Sequence, residues 1–511
     1  MTTVSTPPTS GDIHEKGLAA GRIGTFTGAV LGISTVAPGY TLTASIGLMV
    51  AAVAAKVPAI LIVGFIPMFL TAYAYRELNN RMPDCGASFT WSTKAFGPYV
   101  GWMCGWGMVL ATIFVLSNLA AIAVEFFYLF LADVFNNPAI EQFGTGKAVN
   151  IISTLLFLAA ATWVSARGIQ TSERIQYVLV AFQMVVLLGF AITAVVKSSS
   201  QPTHLSFDID WFNPFTGLGI SALILGVVGS IFGFWGWDTT LTLGEESKDP
   251  TRVPGRAGLL CVLSILFTYL LIAVGVTMFA GVGTEGIGLG NPDNADNVFA
   301  ALAHPVLGSL GPFVLLAVFA SAAASLQTTF LPAARTLLAM GSYEAFPKKF
   351  ASISPRFLSP VFATVFAGVV TGVFYTAVSL LSDSVLWDTV ASLGIMICWY
   401  YGITAFACVW YFRSELFRNA RSVVFKFVFP LLGALLLFAV FLISVHQSMD
   451  PENGSGSQVF GIGLVFWIGF GSLVLGAVLM IVMRAVNPSF FTGQTLAKGT
   501  SATDPEFEGI Q

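Results

Sequence analysis

Long apolar runs recur along the chain between residues 24 and 484, each separated from the next by a short stretch that carries the charged residues. A helix needs about 20 predominantly apolar residues to cross hydrocarbon, where every unpaired backbone group is costly. Twelve runs satisfy that length: 24–54, 57–78, 98–131, 149–166, 176–197, 218–244, 257–281, 306–340, 361–381, 386–412, 424–446 and 459–484. The third and eighth exceed a perpendicular crossing, which predicts tilted helices. The polar ends, residues 1–21 and 487–511, hold too little apolar surface to order themselves and are expected to be mobile tails. The first run is too long for a secretory h-region and no small-residue cleavage pattern follows it, so it is expected to be a retained span.

Composition agrees. The chain of 511 residues is 56% hydrophobic and 10% charged, whereas a soluble domain carries about 25% charged residues. A water-soluble enzyme is thereby excluded. The net charge of −3 gives no basic footprint for nucleic acid. Five cysteines (Cys85, Cys104, Cys261, Cys398, Cys408) are scattered, and His14, His204, His304 and His446 lie outside the spans or at their ends. No disulfide framework, metal cluster, cofactor site or nucleophile–base pair is expected from that distribution.

The charges also orient the chain. With the N-terminus inside, all of the 23 Lys and Arg except Lys56, Lys147 and Lys197 fall on the cytoplasmic side, as basic residues do in multi-span proteins. A wrong span count would scramble this alternation. Cytoplasmic N- and C-termini in the cell membrane follow, and the segment from Gly281 to Pro305, without Lys or Arg, becomes an external lid.

Two spans differ from the rest. The first holds Gly28, Gly32 and then Ser34-Thr-Val-Ala37-Pro38-Gly39-Tyr40, placing a Pro-Gly pair near mid-membrane. Proline lacks an N–H and clashes with the preceding turn, and glycine leaves helical geometry easily. The sixth holds Gly229, Gly233 and Gly236 within Phe232-Gly-Phe-Trp-Gly-Trp-Asp238. Interrupted spans at matching positions of two halves point to an inverted repeat of five plus five helices, with the freed backbone groups lining a central site. The plainer reading is that glycine and proline merely permit kinks and close packing.

At these residues the chain resembles the amino acid, polyamine and organocation permeases. The sixth-span run continues through Glu245-Glu246-Ser-Lys-Asp-Pro250-Thr-Arg252-Val-Pro254. Further matches are Tyr75-Arg-Glu77-Leu78-Asn-Asn-Arg81-Met-Pro83-Asp-Cys-Gly86, Phe96-Gly97-Pro98 into Gly105-Trp106, Arg167-Gly168, and Arg335 through Met340, Phe346 and Pro347. The resemblance covers about residues 24 to 485 and implies an all-α membrane fold: two inverted repeats (22–200 and 201–412), peripheral helices at 413–486, and alternating access for amino acids or related amines. Relatives place Gly-Ser/Thr-Gly at the first break to hold a substrate carboxylate, where this chain has Ala37-Pro38-Gly39. The lost hydroxyl leaves the N–H groups of Gly39, Tyr40 and Thr41 as the anion site, and keeps carboxylate-free amines such as polyamines or amino alcohols as alternative substrates. In some relatives a fifth-span lysine senses protons; its counterpart here is Gln183, which does not titrate.

The expected substrate-binding set is therefore Ser34, Ala37, Gly39, Tyr40, Thr41, Phe232, Phe234, Trp235 and Gly236, with the aromatic rings covering an ammonium group. Asp238 is the candidate for amine binding, gating or proton coupling, since an ionisable group inside a span is expensive; capping the lower half-helix is its structural alternative. Glu125 is a second proton candidate, although about 40 Å along the third helix it reaches the interface. Thr112, Ser117 and Asn118 are candidates to line the cavity, or else to bond neighbouring helices. Ser321, Ser325, Thr328 and Thr329 could face a sodium ion opposite first-span carbonyls. The Glu245/Glu246 and Arg252/Arg256 cluster reads as a salt-bridged intracellular gate or a solvated loop. Inorganic-ion transport and a non-transporting receptor or channel of the same fold remain as competing functions. A metal transporter would need hard oxygen ligands at the first break and a channel a filter or charged ring, which this sequence lacks.

Overall fold

The computed structural model describes residues 16–167, 173–295, 297–382 and 384–501; the outermost parts of both predicted tails, together with Gly168, lie outside them. The chain is almost entirely helical. Its helices are α1 (Thr25–Val36), α2 (Pro38–Val53), α3 (Val57–Arg81), α4 (Ser88–Phe96), α5 (Pro98–Val134), α6 (Glu141–Thr145), α7 (Lys147–Ala166), α8 (Glu173–Lys197), α9 (Ile220–Gly233) and α10 (Thr239–Thr242). The second half holds α11 (Val253–Ala280), α12 (Val298–Leu307), α13 (Gly311–Ser342), α14 (Val361–Leu381), α15 (Val385–Tyr411), α16 (Ala420–Ser422), α17 (Phe429–Gln447), α18 (Leu464–Phe466), α19 (Ser472–Val486) and α20 (Pro488–Phe491). A two-residue hairpin pairs Gln458–Val459 with Ile462–Gly463.

Among the described residues, 10 helical stretches are long and apolar enough to cross a membrane, with the shorter Ile220–Gly233 beside them. The first stretch, Thr25–Arg81, runs through two of the predicted spans. Burial sorts the helices by role. In the most apolar window of α5, 94% of residues are buried, and in that of α15, 83%, against 17% in α7 and 28% in Leu464–Val486. The former are therefore core helices, and the latter turn their Leu and Val side chains to lipid. The 37 residues of α5 and 32 of α13 pack along each other, α2 packs on α9, and α1 on α11 and α13.

Polar contacts join the connections at the two ends of the long helices. On one face Lys16, Asp84, Glu245 and Tyr343 meet. On the other, Lys56 binds Asp210 at 2.8 Å, Lys197 donates to the carbonyl of Val306 at 2.9 Å, and Asn297 donates to Glu125 at 2.5 Å. The segment read as a lid sits on this second face. A methyl on Gly47 of α2 would lie 2.6 Å from Ala295 Cα, and the amide of Phe299 donates to Thr43 at 3.4 Å.

The expectation of mobile tails is corrected on both sides. Lys16 is buried, and residues 487–501 form a docked strap rather than a free end. Phe490 is fully buried and Leu496 is 1% exposed. Thr495 Oγ1 donates to the carbonyl of Tyr343, Gly499 N to that of Lys94 and Ser501 N to that of Tyr411. Few apolar residues suffice because they enter a pocket already lined by Phe89, Trp102 and Tyr343. Leu496→Ala is expected to cost about 2 kcal/mol, read as a lower unfolding temperature of the detergent-solubilised protein.

Candidate functional site

The first break is a single residue. Ala37 takes a left-handed conformation (φ 53°), which ends α1, and Pro38 starts α2 at the position where a missing N–H costs nothing. The first amides of a helix have no partner within it. Pro38 has none to offer, and that of Thr41 already donates to Ala37 O at 2.9 Å. Gly39 and Tyr40 are thus the N–H groups this start can present, two rather than the three expected.

The carbonyls at the end of α1 are largely engaged. Ile33 O accepts from Ala37 N, Val36 O from Thr41 Oγ1 at 2.5 Å, and Thr35 O from Ser325 Oγ at 2.8 Å. The hydroxyls of α13 do face first-span carbonyls, as the sodium expectation requires, but Ser325 spends its proton there. Thr328 bonds within its own helix, and Thr329 meets Ser325 Oγ at 3.3 Å.

The second break opens between α9 and α10. Tyr269 on α11 donates to the carbonyl of Gly233 at 2.7 Å, satisfying an acceptor left by the interruption. Gly236 has φ +107°, a conformation that side chains rarely adopt. A methyl there would lie 3.1 Å from Thr35 Cγ2 and 3.2 Å from Val36 N. The two interruptions are therefore in direct contact, at one depth, and glycine is what allows the backbones to touch.

Asp238 is 1% exposed and lies just beyond this junction. Trp235 Nε1 donates to the hydroxyl of Tyr400 at 2.6 Å, and that hydroxyl donates to Asp238 Oδ2 at 3.3 Å. Asp238 Oδ1 has no partner among the described residues. The side chain makes no cap to α10, so the capping alternative does not hold. Tyr75, Trp237 and Tyr401 surround it with ring centroids 5.1–5.5 Å apart, and among the described residues no Lys or Arg pairs with it.

The other expected residues divide. Tyr40 is buried, edge-on to Phe232 at 6.1 Å, and its hydroxyl is unpartnered among the described residues, as are Ser321 Oγ and Asn118 Nδ2. Ser321 faces Gly39, where a methyl would lie 3.1 Å from Ser321 Cβ. Asn118 Oδ1 accepts from Thr389 at 2.8 Å, bridging α5 to α15. The remaining expected residues have partners of their own. Ser34 donates to Gln176 at 2.6 Å; Thr112 and Ser117 donate to carbonyls of their own helix at 2.8 and 2.7 Å; and Phe234 packs into the aromatic core beside Phe65 and Tyr269. Glu125 is held by Asn297 at the second face rather than at the breaks. Sequence alone did not single out Tyr400, Tyr401, Tyr269 or Tyr75 for this site.

At the face that carries Lys16 the expected salt-bridged cluster has other partners. Lys16 Nζ contacts Asp84 at 2.8 Å and Glu245 at 2.6 Å, and Arg335 pairs with Glu246 at 3.0 Å; among the described residues Arg252 and Arg256 take no part. Arg22 N and Ile23 N donate to the carbonyl of Glu246, so the N-terminal segment is threaded onto this loop. Ligand atoms of Asp84, Cys85 and Glu245 lie within 4.8 Å of one another, a grouping that scattered cysteines did not suggest. The cation already there is the lysine ammonium.

Burial works against the charge on each of these groups. It would lower Lys16, but Asp84 and Glu245 hold the lysine well above its ordinary value; Asp84 is drawn below its ordinary value by Lys16 despite burial, while Glu245 is pushed up by burial and by Asp84. The signs follow. Asp84 contributes stability above its unfolded pKa that is lost as pH falls through its lowered folded value, and Lys16 stability that is lost only as pH rises through its raised one. Glu245 favours the closed segment increasingly as pH falls through its raised value. Hydrogen exchange at residues 16–23 is thus expected to stay protected from about pH 5 to 9, and Lys16→Met to speed it at least about tenfold.

Comparison with known proteins agrees with this geometry. The amino acid permease family profile matches residues 23–471. The branched-chain amino acid permease BcaP of Lactococcus lactis subsp. cremoris is 28% identical over 328 residues, 62% of this chain and 67% of the relative. The low-affinity putrescine importer PlaP of Escherichia coli is 22% identical over 457 residues, 88% and 91% of the two chains. The crystal structure of MhsT in complex with L-phenylalanine superposes with a TM-score of 0.57 at 18% identity, covering 81% of this chain and 98% of that one, which shows the shared fold. With the profile spanning nearly all of the helical region and both breaks in place, the chain belongs to the amino acid permease family and is a multi-pass membrane transport protein rather than an enzyme.

Proposed function

We propose that the protein is a secondary transporter that carries an amino acid or related small amine across the cell membrane by alternating access, with proton coupling or exchange as the driving process. The single observation that carries this reading is the contact between Gly236 and Thr35–Val36. It sets two free amides of α2 on one side of a junction whose other side leads to an unpaired carboxylate. The amides of Gly39 and Tyr40 suit a substrate carboxylate, Tyr40 and Phe232 an apolar or cationic portion, and Asp238 an ammonium group or a proton. Ser321 Oγ, Asn118 Nδ2 and the Tyr40 hydroxyl supply hydrogen-bonding atoms that have no partner among the described residues. In this reading twelve spans form two five-helix repeats plus two peripheral helices. The face carrying Lys16, Arg335 and the strap lies in the cytoplasm, by the distribution of Lys and Arg.

The test is uptake and exchange of labelled leucine, phenylalanine, lysine, putrescine and ethanolamine in proteoliposomes, with and without an imposed proton gradient. Movement of at least one α-amino acid is expected. Movement of putrescine or ethanolamine alone would transfer the assignment to carboxylate-free amines, and movement of none would overturn it.

A further inference from the structure

The helices α7 and α14 cross on the lipid side of the molecule, where glycine draws them together. A methyl on Gly368 would lie 2.8 Å from Thr162 Cγ2, and one on Gly372 3.1 Å from Leu155 Cδ2. Beside this crossing runs a groove of about 1030 Å³, which follows α14 from Val361 to Leu380, about 28 Å at 1.5 Å per residue. That is close to the thickness of a bilayer's hydrocarbon core. Its walls offer hydrocarbon and almost nothing else. The two threonine hydroxyls on it are spent on their own helices, Thr162 on Leu158 O at 2.7 Å and Thr376 on Gly372 O at 2.8 Å.

One end of the groove is different. Arg167 lies at the mouth with its guanidinium 3.5 Å above the ring of Trp163, which is 58% exposed. The loop that closes this end is pinned to α7 by Ser359, which donates to Ala166 O at 2.8 Å. It brings Phe357 into the lining and Arg356 over the Phe357 ring at 5.2 Å. Neither arginine forms an ion pair with a carboxylate among the described residues. Exposed tryptophan and arginine at the end of a lipid-facing helix sit at headgroup level. Two cations without a carboxylate partner among the described residues, Arg167 in the lining and Arg356 next to the lining residue Phe357, match an anion that carries its own hydrocarbon. A partner helix fits less well. Close helix association uses small residues, and here Gly368 and Gly372 are consumed by the α7–α14 contact, leaving Val365, Val369 and Val373 projecting outward, 43–67% exposed.

We propose that this groove is a binding site for an anionic phospholipid, whose phosphate is met by Arg167 and Arg356 and whose acyl chains lie along Val365, Val369 and Val373. Only the leaflet, the cytoplasmic one, rests on the orientation proposed above; the site does not depend on what is transported.

Native mass spectrometry of the purified full-length protein, titrated with dioleoylphosphatidylglycerol or dioleoylphosphatidylcholine, tests it. The wild type is expected to retain the anionic lipid preferentially, with about a fivefold loss of that preference for Arg167→Gln or Arg356→Gln and near-complete loss for both together. Both side chains lie outside the core, so the variants keep the fold, checked by unchanged melting. Equal retention of the two lipids by the wild type, or a preference unchanged in the double variant, overturns the proposal. So does a dimer in nanodiscs that Val369→Trp dissociates, because the groove would then belong to a second copy of the chain.

Discussion

Asp238→Asn is expected to reduce substrate uptake in proteoliposomes by about a hundredfold or more and to leave the fold intact. Asparagine keeps the shape of the carboxylate and its hydrogen bond from Tyr400. It removes only the charge. Breaking a buried ion pair by deleting one partner costs about 3–5 kcal/mol, which a substrate ammonium facing Asp238 would lose on binding. If the carboxylate carries a proton instead, the variant is expected to exchange substrate across the membrane but no longer to accumulate it under a proton gradient. Stability should move the other way. A carboxylate with one unpaired oxygen is held in the span at a cost of at least about 2.5 kcal/mol, so the variant is expected to melt higher than the wild type. Wild-type uptake together with wild-type accumulation in Asp238→Asn would remove this residue from the mechanism.

Gly236→Val comes next in size. The position combines a positive φ with the backbone of α1 pressed against it: the added Cβ would meet both Thr35 and the amide of Val36. Backbone strain of about 2 kcal/mol adds to overpacking of about 2 kcal/mol, and neither can relax without separating the two breaks. The expected result is loss of transport with an unfolding temperature several degrees lower. Gly233→Ala serves as the contrast, because a methyl there meets Tyr269 at 3.4 Å and Thr41 at 3.8 Å, ordinary contact distances. Gly233→Ala should retain most transport; equal loss in both variants would show that the junction tolerates no bulk anywhere and would deny Gly236 its particular role.

What the sequence made legible was whatever depends on backbone exceptions. Pro38–Gly39 and Gly236 interrupt spans for reasons local to those residues. What it concealed depends on partners. For Ser34, Thr112 and Ser117 the sequence showed hydroxyls but not their partners, since a hydroxyl on a helix has a carbonyl one turn back, or a neighbouring amide, within reach. Tyr400 and Tyr401 sat in a span whose Gly394 and Gly402 do not interrupt the helix, so nothing in their own neighbourhood announced that Asp238 would lie against them. Lys16 belonged to a stretch too polar to predict order; its two acidic partners are 68 and 229 residues away in the chain. Arg252 and Arg256, nearer in sequence, were the natural but wrong choice.

The strap formed by residues 487–501 touches Arg81, Lys94, Tyr343 and Tyr411, residues far apart in the sequence. During synthesis these sites stand open until residues 487–501 have been made. A chain truncated before Pro488 would therefore leave the pocket beside Phe89 and Trp102 unfilled, and a fusion partner joined directly after Ser501 would perturb the docking of the strap.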